Sequence, residues 1–316
     1  MKKAFTMIEL IITIVILSIV TYIAVGLIAN TFTSSQYTTS LNRINLKVEL
    51  ALNEIENRLN YAIVNTVVKR KGNNIEPIDL AENNYTVLEW IGYDVDSFEA
   101  DKNDTNKTHI PGWSGFCDLN NSTSSQIVTP GSNLDFTDNI INNLSSNSKG
   151  LSGSAIFFPG NYDYDNVGYI NQNNNDKSGI SIVKTYNYNQ NSSTGYFNLE
   201  NNATRITEKY KLAWSAYAVV PTNCGNDGCD LELRYNFRPW KGVDYNSNGV
   251  SKSLLINGVT VFKTYATQNR IHIKLCVKDH YSPTKTTSIC KEKVIYRWLR
   301  VKIEKVFHYL LLFLLF

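Results

Sequence analysis

The chain is poor in the residues that carry most enzyme chemistry. Its 316 residues include only four histidines, at 109, 272, 280 and 308, and none has the spacing of a metal ligand or of a base beside a nucleophile. No glycine-rich phosphate loop and no Gly-x-Ser-x-Gly elbow occurs, which removes the P-loop and nucleophile-elbow classes. Excess charge is also scarce. The net charge is +3, and much of the basic surplus sits at the ends, at Lys2 and Lys3 and between Lys291 and Lys305, so no basic face for nucleic acid is expected. Proline is sparse as well, with seven in all and the first at Pro77, so nothing before that point forbids a continuous helix. No cofactor and no metal is expected from this inventory.

What is present is concentrated at the start. Met1-Lys2-Lys3-Ala4 is a short basic leader, and Phe5-Thr6-Met7-Ile8-Glu9-Leu10 opens a run that stays almost wholly apolar to Ala29. A helix needs about 20 apolar residues to cross a bilayer, and this run supplies them. It passes into Asn30-Thr31-Phe32-Thr33-Ser34 without the small-residue cleavage site of a secretory signal, so it reads as an anchor that stays, with Lys2 and Lys3 inside. Glu9 is the one acid in the run, and an ionisable residue at that depth is a functional residue by default.

Beyond Ser40 the periodicity is helical. Leu41, Ile44, Val48, Leu52, Ile55, Leu59 and Ile63 recur at steps of three and four, an apolar stripe on an otherwise polar helix. The pattern predicts one helix from about Phe5 to Lys69, about 95 Å long at 1.5 Å per residue. Lys69, Arg70 and Lys71 suit the negative end of its dipole and Gly72 suits its stop.

Lys2-Lys3-Ala4 followed by Phe5-Thr6-Met7-Ile8-Glu9-Leu10 resembles the class III leader of type IV prepilins and type II secretion pseudopilins. The resemblance implies cleavage between Ala4 and Phe5 by a prepilin peptidase, N-methylation of Phe5, and Glu9 as the fifth mature residue, neutralising the Phe5 amine of a neighbouring subunit. The family usually has Gly before the cut, where this chain has Ala4. Its anchor-breaking Pro is absent, and Gly26 stands at about that place. The segments Leu233–Trp240, Ile256–Lys263 and Ile271–Cys276 resemble minor pseudopilin-type proteins of Campylobacter-related bacteria. The likeness is strong over the first 30 residues and moderate over 210–296; the middle is unmatched, and the chain departs from it after Arg297.

The remainder reads as β structure. Strands are expected at Tyr85–Ile91, Ser154–Phe158, Ile180–Tyr186, Tyr210–Val220 (stopped by Pro221), Asp230–Phe237, Ser253–Thr264, Asn269–Lys278 and Ile289–Tyr296, with 100–150 mostly loop. Successive hairpins imply an antiparallel sheet. All five cysteines follow the anchor, on its oxidising side, so disulfides are the default. Cys224 and Cys229 flank one tight turn, Cys276 and Cys290 flank a second loop, and Cys117 is left over; Cys-x4-Cys without histidine is a poor zinc site. Asp244-Tyr245-Asn246-Ser247-Asn248-Gly249 matches the start of a calcium loop, but its twelfth position is Leu255 where a Glu is needed, so a plain turn is favoured. Asn84, Asn103, Asn120 and Asn202 each lie in an Asp/Glu-x-Asn-x-Ser/Thr segment resembling the acidic sequon of bacterial periplasmic N-glycosylation. Residues 298–316 are basic and then apolar, too short to span; an interfacial helix and a translated extension both stay open.

The expected architecture is therefore α+β. It comprises a leader at 1–4, a transmembrane half-helix at 5–30, an amphipathic half-helix at 31–70, a β-rich periplasmic domain at 71–297 and an atypical tail at 298–316. The expected function is structural: a minor pseudopilin of a type II secretion or pilus-like filament, single-pass in the inner membrane, with other pseudopilins or pilins as partners. A minor pilin for DNA uptake or adhesion, and a membrane-tethered periplasmic enzyme or receptor, stand as alternatives.

Overall fold

A single helix, α1 (Met7–Leu59), leads into the sheets of this computed structural model, which describes residues 6–296 except 83, 105–106, 171–174, 268 and 283, and no side chains within 102–109. At 1.5 Å per residue α1 is about 80 Å long. It runs unbroken across Gly26, whose surroundings are open. Its first half lies outside the fold, exposed on all sides. The second half buries Ser40, Ile44, Val48, Ala51, Leu52, Ile55 and Leu59, the apolar stripe in the sequence with Ser40 and Ala51 added and Leu41 half-buried. Each large apolar side chain so buried contributes roughly 1.5–3 kcal/mol.

The helix ends ten residues before Lys69. Asn60 caps it, the Ile63 N–H already donates to the Ile91 carbonyl (2.8 Å), and Asn65 adopts a left-handed φ of 65°. The following Val64-Asn65-Thr66-Val67-Val68 is rich in β-branched residues that fit a pleated strand better than a helix. Lys69 and Arg70 consequently lie buried in a sheet instead of facing a helix terminus.

The strands, in chain order, are β1 (Val68–Lys71), β2 (Asn74–Pro77), β3 (Val87–Gly92), β4 (Asp101–Asp104), β5 (Lys107–Pro111), β6 (Gln126–Pro130), β7 (Ala155–Phe157) and β8 (Ser181–Asn189). They continue with β9 (Thr194–Leu199), β10 (Lys211–Ala213), β11 (Ser215–Gly225), β12 (Gly228–Phe237), β13 (Ser251–Thr267), β14 (Arg270–Ser282) and β15 (Lys285–Tyr296). Two further helices are α2 (Val95–Glu99) and α3 (Leu134–Leu144). An eight-stranded sheet has the order β15-β14-β13-β12-β11-β3-β1-β2, a five-stranded one β10-β7-β8-β9-β6, and β4 pairs with β5. Every pairing is antiparallel. The fold is α+β: a long N-terminal helix packed on antiparallel sheets.

Alternation along the strands gives the eight-stranded sheet two apolar faces. Leu88, Trp90, Val219, Leu231 and Leu233 face α1, together with Ile271, Ile273 and Leu275 of β14. Val87, Ile91, Ala216, Ala218, Val220 and Phe237 face the other way, onto Phe157, Ile180, Ile182 and Trp240. A third apolar group, with Trp113, Ile127, Leu134, Ile141, Phe158 and Phe197, joins the five-stranded sheet to α3.

Two expectations about the strands change. Tyr210–Val220 is not one strand: Trp214 separates β10 from β11, which belong to different sheets. Nor does Pro221 stop β11, since it pairs with Leu231 while the pairing of β11 with β3 has already ended at Val219. With no neighbour on that side, a residue without an N–H costs no ladder bond. The 100–150 region is less irregular than expected, holding α3 and β4 to β6. Asn133 starts α3 by accepting the Phe136 N–H (3.1 Å).

Between β1 and β3 the sheet buries an ion pair. Arg70 Nε donates to Glu89 Oε2 at 2.6 Å, and the two side chains are 1% and 0% exposed. Arg70 also donates to the Ile170 carbonyl (2.7 Å), and its guanidinium lies 5.4 Å from the Tyr245 ring centre. Burial pushes the Glu89 carboxyl above its ordinary range, against the pull of Arg70.

Candidate functional site

The N-terminal segment builds a helix start around its acid. Thr6 precedes the helix, and both its backbone N–H (3.1 Å) and its hydroxyl (2.9 Å) donate to Glu9 Oε2. This is the reciprocal capping spacing, a Thr with a Glu three residues on, and it was readable in the sequence as a partner for Glu9. From Met7 to Phe32 every side chain is exposed, and among the described residues the hydrogen-bond partner of the Glu9 carboxylate is Thr6. Among the described residues, α1 is the one helix long and apolar enough to cross a membrane. Ala4 and Phe5 lie outside the described residues.

The emerging half of α1 is tied to the sheet by polar contacts as well as by its apolar stripe. Ser40 donates to Asp279 Oδ2 (2.6 Å) and Arg43 forms an ion pair with the same carboxylate. Against the cost of partial burial, these two bonds hold the Asp279 carboxyl below its usual range. Lys291 meets Glu49 (3.0 Å), Lys293 meets Glu56 (2.8 Å), and Tyr37 packs edge-on to Tyr281. None of these partners was predicted from sequence, because each spans more than 230 positions.

The matching family model is the prokaryotic N-terminal methylation motif, at residues 1–25. The chain carries a type IV prepilin-like leader. Neither a curated protein nor a solved structure matches the chain. A prepilin-like leader implies processing by a prepilin peptidase and assembly with other pilins, and α1 then serves as a single membrane anchor with Glu9 near its start.

The cysteines are paired away from this site. Cys224–Cys229 staples the turn end of the β11–β12 hairpin, between the Gly225–Gly228 and Thr222–Asp230 pairs. Cys276–Cys290 joins directly opposed residues of β14 and β15. These two do not flank a loop, because the ladder continues past them to Ser282 and Lys285. Cys117 is a buried free thiol 3.3 Å from the Ser122 hydroxyl, and burial raises its pKa.

Asp244 turns its carboxylate onto its own loop, accepting from the Asn246 N–H (2.9 Å) and the Ser247 hydroxyl (2.8 Å). Among the described residues, no group of three His, Cys, Asp or Glu side chains could hold a metal ion. Folding does assemble one series that the sequence did not announce. The Thr267 hydroxyl is 3.0 Å from His272 Nε2, and His272 Nδ1 is 2.9 Å from Glu292 Oε1. Tyr265 donates to the same carboxylate oxygen (3.0 Å) and stacks on the imidazole at 4.6 Å. The four residues come from three adjacent strands, and their contacts are those of cross-strand pairs on a sheet face. Of the sequon asparagines, Asn84, Asn120 and Asn202 are exposed and outside strands, while the Asn103 side chain lies outside the description.

Proposed function

We propose that the chain is a minor pseudopilin, a structural subunit of a type II secretion or type IV pilus-like filament. In this reading prepilin peptidase cuts between Ala4 and Phe5, and Phe5 is N-methylated. Residues 5–30 span the inner membrane and 71–297 face the periplasm. The observation that carries the reading is the methylation motif at residues 1–25, placed on a helix whose exposed half holds one acid, Glu9, and whose other half is packed into a folded domain.

The physical logic of the pair is straightforward. Cleavage creates a cationic amine at Phe5, and a lone charge at membrane depth costs about 2.5–3.5 kcal/mol on an insertion scale. Glu9 of an adjacent subunit neutralises that charge, and a buried pair of this kind fixes register more than it adds stability. The long connections, the two disulfide-closed hairpins and the extended β13–β15 region favour a low-copy subunit over a repeating one.

N-terminal mass spectrometry of the mature protein tests the reading, with a chain beginning at N-methyl-Phe5 as the expected result. An intact Met1 in cells with active peptidase would sink it. Glu9→Ala is expected to leave processing unchanged and to abolish incorporation into the filament.

A further inference from the structure

The chain contains eight Asn-x-Ser/Thr triplets, with asparagine at 84, 103, 106, 120, 121, 143, 191 and 202. Five of the eight carry Asp or Glu two residues before the asparagine: Glu82, Asp101, Asp104, Asp118 and Glu200. At the overall frequency of acids, 28 in 316, fewer than one of the eight would. The abundance of asparagine explains the triplets but not the acids in front of them.

The structure then separates these sites by what their side chains are already doing. At Asn120 the flanking groups hold a turn. Asp118 accepts from the Asn120 N–H (3.0 Å) and the Asn121 amide (2.7 Å), while the Ser122 hydroxyl accepts the Val128 N–H (2.9 Å). At Asn143, which lacks the acid, the triplet is the end of α3 and Ser145 is buried. Asn202 differs: Asn202 and Thr204 are exposed in a segment with no regular structure after β9, and Thr204 has one long hydrogen bond, to the Ser178 carbonyl at 3.4 Å. The Glu200 side chain is half exposed and pairs with Lys241, a surface pair of the kind worth little. Asn84 and Thr86 are exposed in the connection from β2 to β3, and the Asn84 amide donates to Glu82 itself (3.1 Å). In these two places the acid, amide and hydroxyl side chains are exposed, and the ties to the fold are made by other groups: Asn201 accepts the Ile182 N–H (2.7 Å) and donates to the Ile180 carbonyl (2.8 Å), the Ala203 N–H donates to the Ser124 carbonyl (2.8 Å), and Lys69 donates to the Glu82 carbonyl (3.0 Å).

We propose that Asn202 and Asn84 are N-glycosylation sites on the folded protein. The donor class is an oligosaccharide linked to a polyprenyl diphosphate. The amide nitrogen of the asparagine bonds to C1 of the reducing-end sugar, the bond from C1 to the diphosphate oxygen breaks, the polyprenyl diphosphate leaves, and the amide proton passes to a base of the transferase. The inference rests on the periplasmic placement given above, because such donors are used outside the cytoplasm.

The test is expression of the full-length chain in a bacterium that holds an oligosaccharyltransferase for acidic sequons and its lipid-linked donor. Intact mass and peptide mass spectrometry would follow, with thiols alkylated before reduction. Glycan is expected at Asn202 and at Asn84, with the intact mass falling by one glycan in Asn202→Gln or Asn84→Gln and by two in the double variant. Glu200→Gln and Glu82→Gln each abolish the addition at the neighbouring asparagine. A bare chain with both disulfides formed overturns the proposal while leaving periplasmic placement intact. A bare chain with all thiols free overturns both. Glycan at Asn120 or Asn191 in place of these two overturns the assignment of sites.

Discussion

Asp94 offers a direct measure of how the interior treats charge. It sits at the start of α2, 2% exposed, with Oδ1 accepting the Ser97 N–H at 3.2 Å. Beside it is a cavity of about 20 Å³, room for about one water molecule, lined also by Arg58, Tyr61 and Tyr217. Burial outweighs the hydrogen bonds from Ser97 and pushes the carboxyl from an ordinary 3.8 up to about 6. Because the folded value lies above the unfolded one, this group's contribution to stability is fully present below about pH 4 and is lost as pH rises through about 6. The change corresponds to roughly 3 kcal/mol by neutral pH. Asp94→Asn retains an oxygen for the Ser97 N–H and never ionises. It is expected to stabilise the protein by roughly 2–3 kcal/mol at pH 7.5 and to leave stability near pH 4 almost unchanged. Urea unfolding of the chain in detergent micelles reads this, followed by fluorescence of the buried Trp90, Trp113 and Trp240. A gain of the same size at both pH values, or a loss at pH 7.5, would refute the reasoning.

The same unfolding assay serves three other perturbations. Glu89→Gln leaves Arg70 buried beside a neutral partner and is expected to cost about 3–5 kcal/mol, whereas Arg70→Met with Glu89→Leu recovers most of that; equal losses in both variants would show that packing, not the orphaned charge, is at fault. Ile55→Ala empties a fully buried position between α1 and the sheet, with about 2–5 kcal/mol lost, and a loss under 1 kcal/mol would mean that this half of α1 is not part of the cooperative unit. Replacing both Cys276 and Cys290 by Ser opens a link across 14 positions and should cost about 3 kcal/mol, against about 2 for the shorter Cys224–Cys229 link, so the reverse order would contradict the chain-entropy account.

Periodicity carried the helix well, because Ile44, Val48, Leu52, Ile55 and Leu59 face one sheet and each must fall on the same side. It failed at the end of α1, since Ile63 continues the spacing although its N–H has already joined β3. Spacing alone does not say which partner a buried isoleucine meets. The strands β12 to β15 were legible from alternation, except for the outer ends of β14 and β15, where the stretch between Cys276 and Cys290 reads as a loop in the sequence and is paired to Ser282 and Lys285 in the fold. α3 was not, because Asn139, Asn142 and Asn143 masked the Leu134, Thr137 and Ile141 that it buries. For the candidate site, Glu9 was legible as the one acid in an apolar run. Asp279 was not, since only the folded sheet brings it to Ser40 and Arg43.

The polar contacts between α1 and the sheet have a mechanical meaning. Going up the helix from Ser40 to Glu49 to Glu56, the partners progress from Asp279, opposite Thr287, to Lys291 and then Lys293, so the helix and β15 ascend together. The anchor and the folded domain thus overlap along a seam, like a lap joint. A pull on the anchor along its axis loads that seam in shear, with the apolar stripe and its ion pairs all resisting at once. A sideways pull would peel it one contact at a time. Cys276–Cys290 rivets the two strands under the middle of the joint, so the surface that takes the load cannot itself slide apart.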